Sequence, residues 1–185
     1  GEIEYIDISD KYFEYPKNIY KNLTKIRDKI KNKDNLKEFS KEIKILEKDI
    51  TLFHAEIVNE IAKKAKVNID LVGFHGQTIF HNVNEKISKQ LGDGKLLSKL
   101  TKKNVVYDFR QKDLRKGGHG APLTPIFHKV LAQKFKITYS YFLNIGGITN
   151  YTLIDDGSEG EDHEKFKQAK GLYISANDIG PGMCL

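Results

Sequence analysis

The sequence predicts a protein of the α/β class. Short apolar runs typical of buried strands alternate with amphipathic helical patterns along most of the 185 residues. Polar, glycine-bearing segments follow several of these runs, at the positions where ligands collect in open α/β sheets. A chain of this length can also bury one substantial core.

The first third of the chain predicts a strand followed by helices. Glu2–Ser9 alternates polar and apolar residues, which indicates a half-buried strand, and a helix is predicted from Lys17 to about Lys31. Between Asn35 and Lys66 apolar residues recur every three or four positions, so a long helix is predicted, about 45 Å long if unbroken. Its stripe fits a coiled coil or packing across a sheet. We favour packing because strands follow at once.

The rest of the chain alternates strand and helix patterns before a polar stretch. The predicted strands are Ile69–Phe74, Val105–Phe109, Tyr141–Ile145 and Ile148–Ile154, and the predicted helices are Lys95–Thr101 and Pro125–Lys134. Asp155–Lys170 is expected to be a surface loop or the tip of a hairpin.

Composition excludes several classes of protein. The net charge is +6, but lysine supplies 28 of the 31 basic residues, and no nucleic-acid-binding motif accompanies the charge, so we expect no nucleic-acid partner. Cys184 is the single cysteine and has no partner for a disulfide within the chain. No apolar run reaches about 18 residues, and residues 1–10 lack the apolar stretch of a signal peptide. We therefore expect a cytoplasmic protein without membrane contact.

Two segments after predicted strands carry candidate ligand-binding groups. His75, Gln77 and Thr78 present an imidazole, an amide and a hydroxyl over one small turn, although the imidazole could equally be satisfied by its own loop. Asp108 ends the next strand and is placed to act as a general base, with Arg110 and Asp113 close behind. The alternative is an ordinary Asp–Arg surface pair.

Three further segments are rich in glycine. Residues Gly117–Leu123 can bring backbone N–H groups close to a ligand, or form a flexible loop. The turn at Gly146 and Gly147 suits phosphate oxygens, or an ordinary hairpin. Asp178–Gly182 forms a last polar turn, with a frayed terminus as the alternative.

Six segments in this order resemble the anhydro-N-acetylmuramic acid kinase family. They are GFHGQTIFH (73–81), QLGDG (90–94), VVYDFRQKD (105–113), GGHGAPLTPIFH (117–128), LNIGGITNYT (143–152) and NDIGPGM (177–183). The resemblance implies an actin-like ATPase (ribonuclease H-like) lobe, with a mixed sheet flanked by helices. It further implies a first-lobe segment over residues 1–138 and the start of a second lobe over 139–185.

The resemblance also implies an activity and a set of site residues. The family converts 1,6-anhydro-N-acetylmuramic acid, ATP and water into N-acetylmuramic acid 6-phosphate and ADP during recycling of the cell wall. Its phosphoryl transfer uses Mg²⁺, and the family tends to form homodimers. By this likeness Asp108 is the general base, with Asp113 as the alternative. The substrate-binding residues would be His75, Gln77, Thr78, Arg110 and Gly118, and Gly146 and Gly147 would bind ATP phosphates, with no protein metal ligand expected.

The chain also departs from the family pattern. Family members begin with a strand and a GTSxDG phosphate loop and continue beyond the Gly-Pro-Gly segment, so we expect a central piece truncated at both ends. Alone, such a piece is expected to have little or no kinase activity. The alternative is a non-catalytic remnant that retains at most sugar binding. A related kinase for another sugar is disfavoured by the DFRQKD and GGHGAPL segments.

Overall fold

The computed structural model describes residues 10–64, 68–145, 148–155 and 173–181. The predicted strand at Glu2–Ser9 and the predicted loop after Asp155 lie outside these residues. The chain divides into two compact units, one formed by Lys11–Ala121 and one containing the described residues from Pro122 onward. The boundary expected between residues 138 and 139 stays a prediction.

Three helices open the first unit. They are α1 (Lys17–Lys29), α2 (Lys33–Glu38) and α3 (Ser40–Lys64). Asn32 caps α2, because its side-chain oxygen accepts the backbone N–H groups of Asp34 and Asn35 at 3.0 and 3.1 Å.

The long helix predicted between Asn35 and Lys66 is present as α3 but is interrupted near its start. The backbone at Phe39 has ψ of 22°, far from the helical value of about −42°, and this residue separates α2 from α3. The Phe39 ring packs against the core formed with α1, and the Lys29 ammonium group lies 4.7 Å from the ring centre. Packing of this side chain against α1 therefore overrides the helical periodicity at one residue.

The apolar stripe of α3 packs within the unit. Ile43, Leu46 and Ile50 form one buried cluster with α1 and with a β-hairpin. The hairpin consists of β2 (Gln77–Asn82) and β3 (Ile87–Leu91), which are antiparallel. The stripe thus covers a sheet and a neighbouring helix rather than forming a coiled coil. The sequence analysis did not predict this hairpin.

A parallel strand pair and a short helix complete this unit's scaffold. Strand β1 (Leu71–Phe74) pairs with β4 (Asn104–Tyr107), and Phe74 lies opposite Tyr107. Helix α4 (Gly94–Thr101) connects the hairpin to β4 and begins at Asp93, whose carboxylate accepts the Leu96 N–H at 3.0 Å. These elements confirm the predicted strands and helix there. A five-residue helix, α5 (Gln111–Arg115), was not predicted.

The second unit contains one helix and an antiparallel sheet. Helix α6 (Pro125–Phe135) precedes β5 (Tyr139–Asn144), β6 (Ile148–Asp155) and β7 (Tyr173–Pro181), which pair in the order β5-β6-β7. On α6, the His128 ring stacks on Phe142 at 4.6 Å, and its Nδ1 lies 2.9 Å from the Thr152 hydroxyl.

The structure also corrects the prediction of a polar turn at Asp178–Gly182. Residues 178–181 belong to β7 and pair with β6, while Gly182 lies outside the described residues. Thr149 pairs with Gly180 and Asn150 with Asp178, so Ile179 is an additional residue, as in a β-bulge. Pairing with β6 satisfies the backbone of this segment, which local sequence cannot reveal.

The α/β class is confirmed. Parallel and antiparallel strand pairs occur together with helices, distributed over three small sheets in the described residues. In the same residues, no helix is long and apolar enough to cross a membrane.

Candidate functional site

The parallel pair β1–β4 brings two predicted site residues to one edge. Phe74 and Tyr107 are partners at the carboxyl ends of the two strands, so His75 and Asp108 follow them side by side. Both residues line a cavity of about 350 Å³. This volume lies within the range of about 300–1,000 Å³ usual for small-molecule sites. The structure thus unites two candidates that are 33 positions apart in sequence.

The cavity wall combines hydrogen-bonding groups with two aromatic rings. Its lining residues are Glu47, Phe74, His75, Ser88, Lys89, Gln90, Gly92, Asp93, Tyr107, Asp108 and Gln111. Carboxylates, amides, a hydroxyl, an ammonium group and aromatic faces suit a polar ligand with several hydroxyl groups.

Asp108 has an unusual backbone. Its φ is +57°, in the left-handed region, which few non-glycine residues adopt, although Asp does so more readily than most. Residues held in such conformations cluster at functional sites. Its side chain is exposed, and its carboxylate has no hydrogen-bond or ion-pair partner within the described residues. The carboxylate is therefore available to a ligand or a water molecule in the cavity.

His75 is held by its neighbours. Its Nδ1 lies 2.8 Å from the Gly76 carbonyl oxygen, and the Arg110 Nε–H donates to its Nε2 at 3.1 Å. The ring forms part of the cavity wall while both nitrogens bond within the chain.

Arg110, Asp113 and Gly118 lie around the glycine-rich loop, outside the cavity wall. Arg110 Nη1 donates to the Gly120 carbonyl at 2.8 Å, and the Asp113 carboxylate accepts the Gly120 N–H at 2.8 Å. Burial lowers the pKa of Arg110. A Cβ on Gly118 would collide with the Asp113 carboxylate, so any larger residue here would force that carboxylate to move. The substrate-binding roles of Arg110 and Gly118 stay predictions.

Gln77 and Thr78 lie on β2 and contact other side chains. The Gln77 amide donates to the Tyr15 hydroxyl at 3.1 Å, and that hydroxyl lies 3.5 Å from Nε2 of His54. Burial raises the pKa of Tyr15, with a smaller opposing effect of the Gln77 bond. The Gln90 amide donates to Thr78 at 3.1 Å, so Thr78 supports a cavity-lining side chain from behind.

Sequence reasoning missed the contribution of α3 to the cavity. The Lys89 ammonium group lies 2.7 Å from the Glu47 carboxylate, and the same carboxylate accepts the Gly92 N–H at 3.3 Å. One turn later, the buried Thr51 hydroxyl accepts the Asp93 N–H at 3.0 Å. Glu47 and Thr51 are polar, lie four positions apart and are next to the apolar stripe of α3. This pattern could have indicated their contact with the cavity segment.

The predicted phosphate-binding residues Gly146 and Gly147 lie outside the described residues. Among the residues described, no group of three or more His, Cys, Asp or Glu side chains could hold a metal ion. The roles of ATP and Mg²⁺ therefore stay predictions.

Comparisons with known proteins agree on one family. A family model described as anhydro-N-acetylmuramic acid kinase matches residues 2–164. A protein of Pelagibacter ubique with that name is 54% identical over 186 residues, covering 100% of this chain and 46% of the relative. Proteins with the same name from Brucella canis and Rhizobium etli are 42% and 40% identical, covering 76% and 78% of this chain.

The chain spans less than half the length of each of these relatives, since it covers 35% of the Brucella canis protein and 36% of the Rhizobium etli protein. Most of the chain lies within the matched region, including the strand ends that form the cavity. The chain therefore belongs to the anhydro-N-acetylmuramic acid kinase family.

Proposed function

We propose that this chain forms the sugar-binding part of an anhydro-N-acetylmuramic acid kinase. The main observation behind the proposal is the cavity at the carboxyl ends of β1 and β4, whose wall includes Asp108 and His75. The family of the chain supplies the substrate class, and the cavity wall is polar with an aromatic face, which suits a sugar.

The chemistry of the cavity supports this substrate. Tyr107 offers an aromatic face, and among the described residues Gln90 Oε1 is a buried acceptor without a partner. The Ser88 hydroxyl and the Gln111 amide already bond within the chain, so a sugar hydroxyl would have to share or replace those bonds.

Lys89 brings an ammonium group that is paired with the Glu47 carboxylate at 2.7 Å and retains two further N–H donors. The substrate of the family is named as an acid. We therefore assign Lys89 to the carboxylate of the sugar.

Asp108 is the proposed general base. Other acidic residues in the family-like segments have different contacts: Asp93 caps α4, and Asp113 binds the Gly120 N–H. Asp178 lies on β7, in the other unit. Asp108 alone combines a family-like segment, a place in the cavity wall and a carboxylate without a partner in the described residues.

The proposed reaction opens the anhydro bridge and phosphorylates the freed oxygen. Asp108 takes a proton from a water molecule as the water oxygen bonds to the anomeric carbon, and the bond from that carbon to O6 breaks. The freed O6 then attacks the γ-phosphorus of ATP, giving N-acetylmuramic acid 6-phosphate and ADP. In the whole protein, ATP supplies the phosphoryl group and Mg²⁺ neutralises its charge. The residues of this chain bind the sugar and hold the base in place.

Calorimetric titration of the 185-residue chain with 1,6-anhydro-N-acetylmuramic acid tests the proposal. We expect saturable binding of the sugar, weaker binding by the Lys89→Met variant, and unchanged binding by Lys95→Met, which alters an exposed lysine outside the cavity. Failure of the wild-type chain to bind the sugar, or equal affinity of both variants, would contradict it.

A further inference from the structure

Only one tautomer of neutral His75 satisfies both hydrogen bonds of its ring nitrogens. A guanidinium group only donates hydrogen bonds, so the Arg110 Nε–H requires an unprotonated Nε2 on His75. A backbone carbonyl only accepts, so Gly76 requires a proton on Nδ1. The neutral Nδ1–H tautomer satisfies both contacts, whereas the Nε2–H tautomer satisfies neither.

Arg110 also holds the glycine-rich loop. Its Nη1 donates to the carbonyl of Gly120, whose own N–H donates to the Asp113 carboxylate. Gly120 is buried and has φ of +67°. Two groups of one planar guanidinium therefore join the turn after β1 to this loop, a geometry that lysine cannot reproduce.

We propose that Arg110 is a positioning residue, which holds His75 in its Nδ1–H tautomer and ties the ring to the loop at Gly120. Arg110 is outside the cavity wall, whereas His75 forms part of it. The guanidinium thus acts on a ligand through the imidazole and not by direct contact. The assignment of the tautomer follows from the hydrogen bonds alone, whereas its effect on sugar binding rests on the proposed function.

The tautomer is measured by long-range ¹H–¹⁵N correlation NMR of the labelled chain at pH 8, with His75→Gln assigning the signals. In the wild type we expect a protonated-type Nδ1 and an unprotonated-type Nε2. Arg110→Met removes both donors while the Gly76 carbonyl still favours a proton on Nδ1, so we expect a partial shift of the His75 pattern toward the Nε2–H form. Arg115→Met, which changes an exposed arginine on the same short helix, is expected to leave the pattern unchanged.

Two results would overturn the assignment. One is a protonated Nε2 in the wild-type spectrum, which needs no variant and therefore holds even if Arg110→Met fails to fold. The other is a folded Arg110→Met variant with the wild-type His75 pattern.

A double-mutant cycle on sugar affinity tests whether Arg110 acts through His75. We expect the double variant Arg110→Met/His75→Gln to lose no more affinity than His75→Gln alone. Additive losses would show that Arg110 contacts the sugar itself. If the wild-type chain does not bind the sugar, the proposed function fails while the NMR result stands.

Discussion

Asp108 and Asp113 are five positions apart, and the chain uses their carboxylates in different ways. Asp108 follows β4 in a left-handed conformation and lines the cavity, without a side-chain partner in the described residues. Asp113 lies in α5, where its carboxylate accepts the Gly120 N–H and contacts Gly118 closely. One carboxylate is free for chemistry, and the other is occupied by the backbone of a loop.

The comparison shows why residue type and spacing alone left two candidates for the base. A carboxylate that accepts a hydrogen bond from a buried N–H cannot be removed without leaving that donor unsatisfied. Replacing a carboxylate that faces a cavity by its amide should change the free energy of unfolding little. Substitution of Asp108 should therefore lower activity, whereas removal of the Asp113 carboxylate should lower the free energy of unfolding.

The largest expected effect is on turnover. In a chimera that joins this chain to the remaining parts of the Pelagibacter ubique relative, Asp108→Asn should lower kcat by about 10²–10⁴-fold, the usual contribution of a general base. Asp113→Asn should retain most of the turnover. Production of sugar 6-phosphate measures both variants. Survival of turnover in Asp108→Asn would move the role to Asp113 or to Asp178.

The next effect is on folding at Gly118. A Cβ at this position meets the Asp113 carboxylate, so Gly118→Ala should lower the free energy of unfolding by about 1–3 kcal/mol, as overpacking does. Gly73→Ala is the control, because its Cβ would meet only the Phe109 ring at 3.9 Å. Urea denaturation of the isolated chain compares the two. Equal stability would mean that the contact with Asp113 is not maintained in solution.

Asp113→Ala tests the other side of this contact. The buried Gly120 N–H would lose its acceptor, and the free energy of unfolding should fall by about 1–3 kcal/mol. Asp113→Asn retains an acceptor oxygen and should lose less. Asp108→Asn should match the wild type in the same urea experiment. A comparable loss of stability in Asp108→Asn would remove the distinction between the two carboxylates.

A smaller effect concerns pH. Burial among aromatic rings lowers the pKa of His54, outweighing its hydrogen bond to the Ile50 carbonyl, and burial also lowers the pKa of His128. The unfolded chain then binds more protons than the folded chain below about pH 6.5, so stability should be full above that pH and fall as pH decreases through the lowered pKa values.

Urea denaturation between pH 7.5 and 5.5, a span of about two pH units around the histidine pKa, measures this loss. His54→Gln should reduce the dependence and His54→Gln/His128→Gln should remove most of it, whereas His119→Gln, at an exposed position, should retain it. An unchanged slope in the double variant would assign the loss to other groups.

The elements with strong local patterns were predictable. The strands at β1, β4, β5 and β6 and the helices α1, α4 and α6 follow from apolar runs and helical periodicity. Because β1 and β4 are parallel, His75 and Asp108 follow the same edge of the sheet, where ligands collect in α/β proteins.

The missed features depend on contacts between distant residues. The β2–β3 hairpin contains polar side chains whose partners lie far away in sequence, such as Gln77 with Tyr15 and Lys89 with Glu47. Strand β7 forms by pairing with β6, despite its Gly and Pro residues. The break at Phe39 follows from packing against α1. The spacing of apolar residues within a short segment reveals none of these contacts.

The backbone at position 108 also constrains how this site can change. A left-handed φ is most favourable for glycine, Asn and Asp, although Lys86, Lys102 and Lys136 of this chain also adopt it. A library randomised at this codon and selected only for folded protein should therefore be enriched in glycine, Asn and Asp. In the chimera, a second round of selection, for growth on the sugar, should then retain Asp, the one member of this set with a carboxylate.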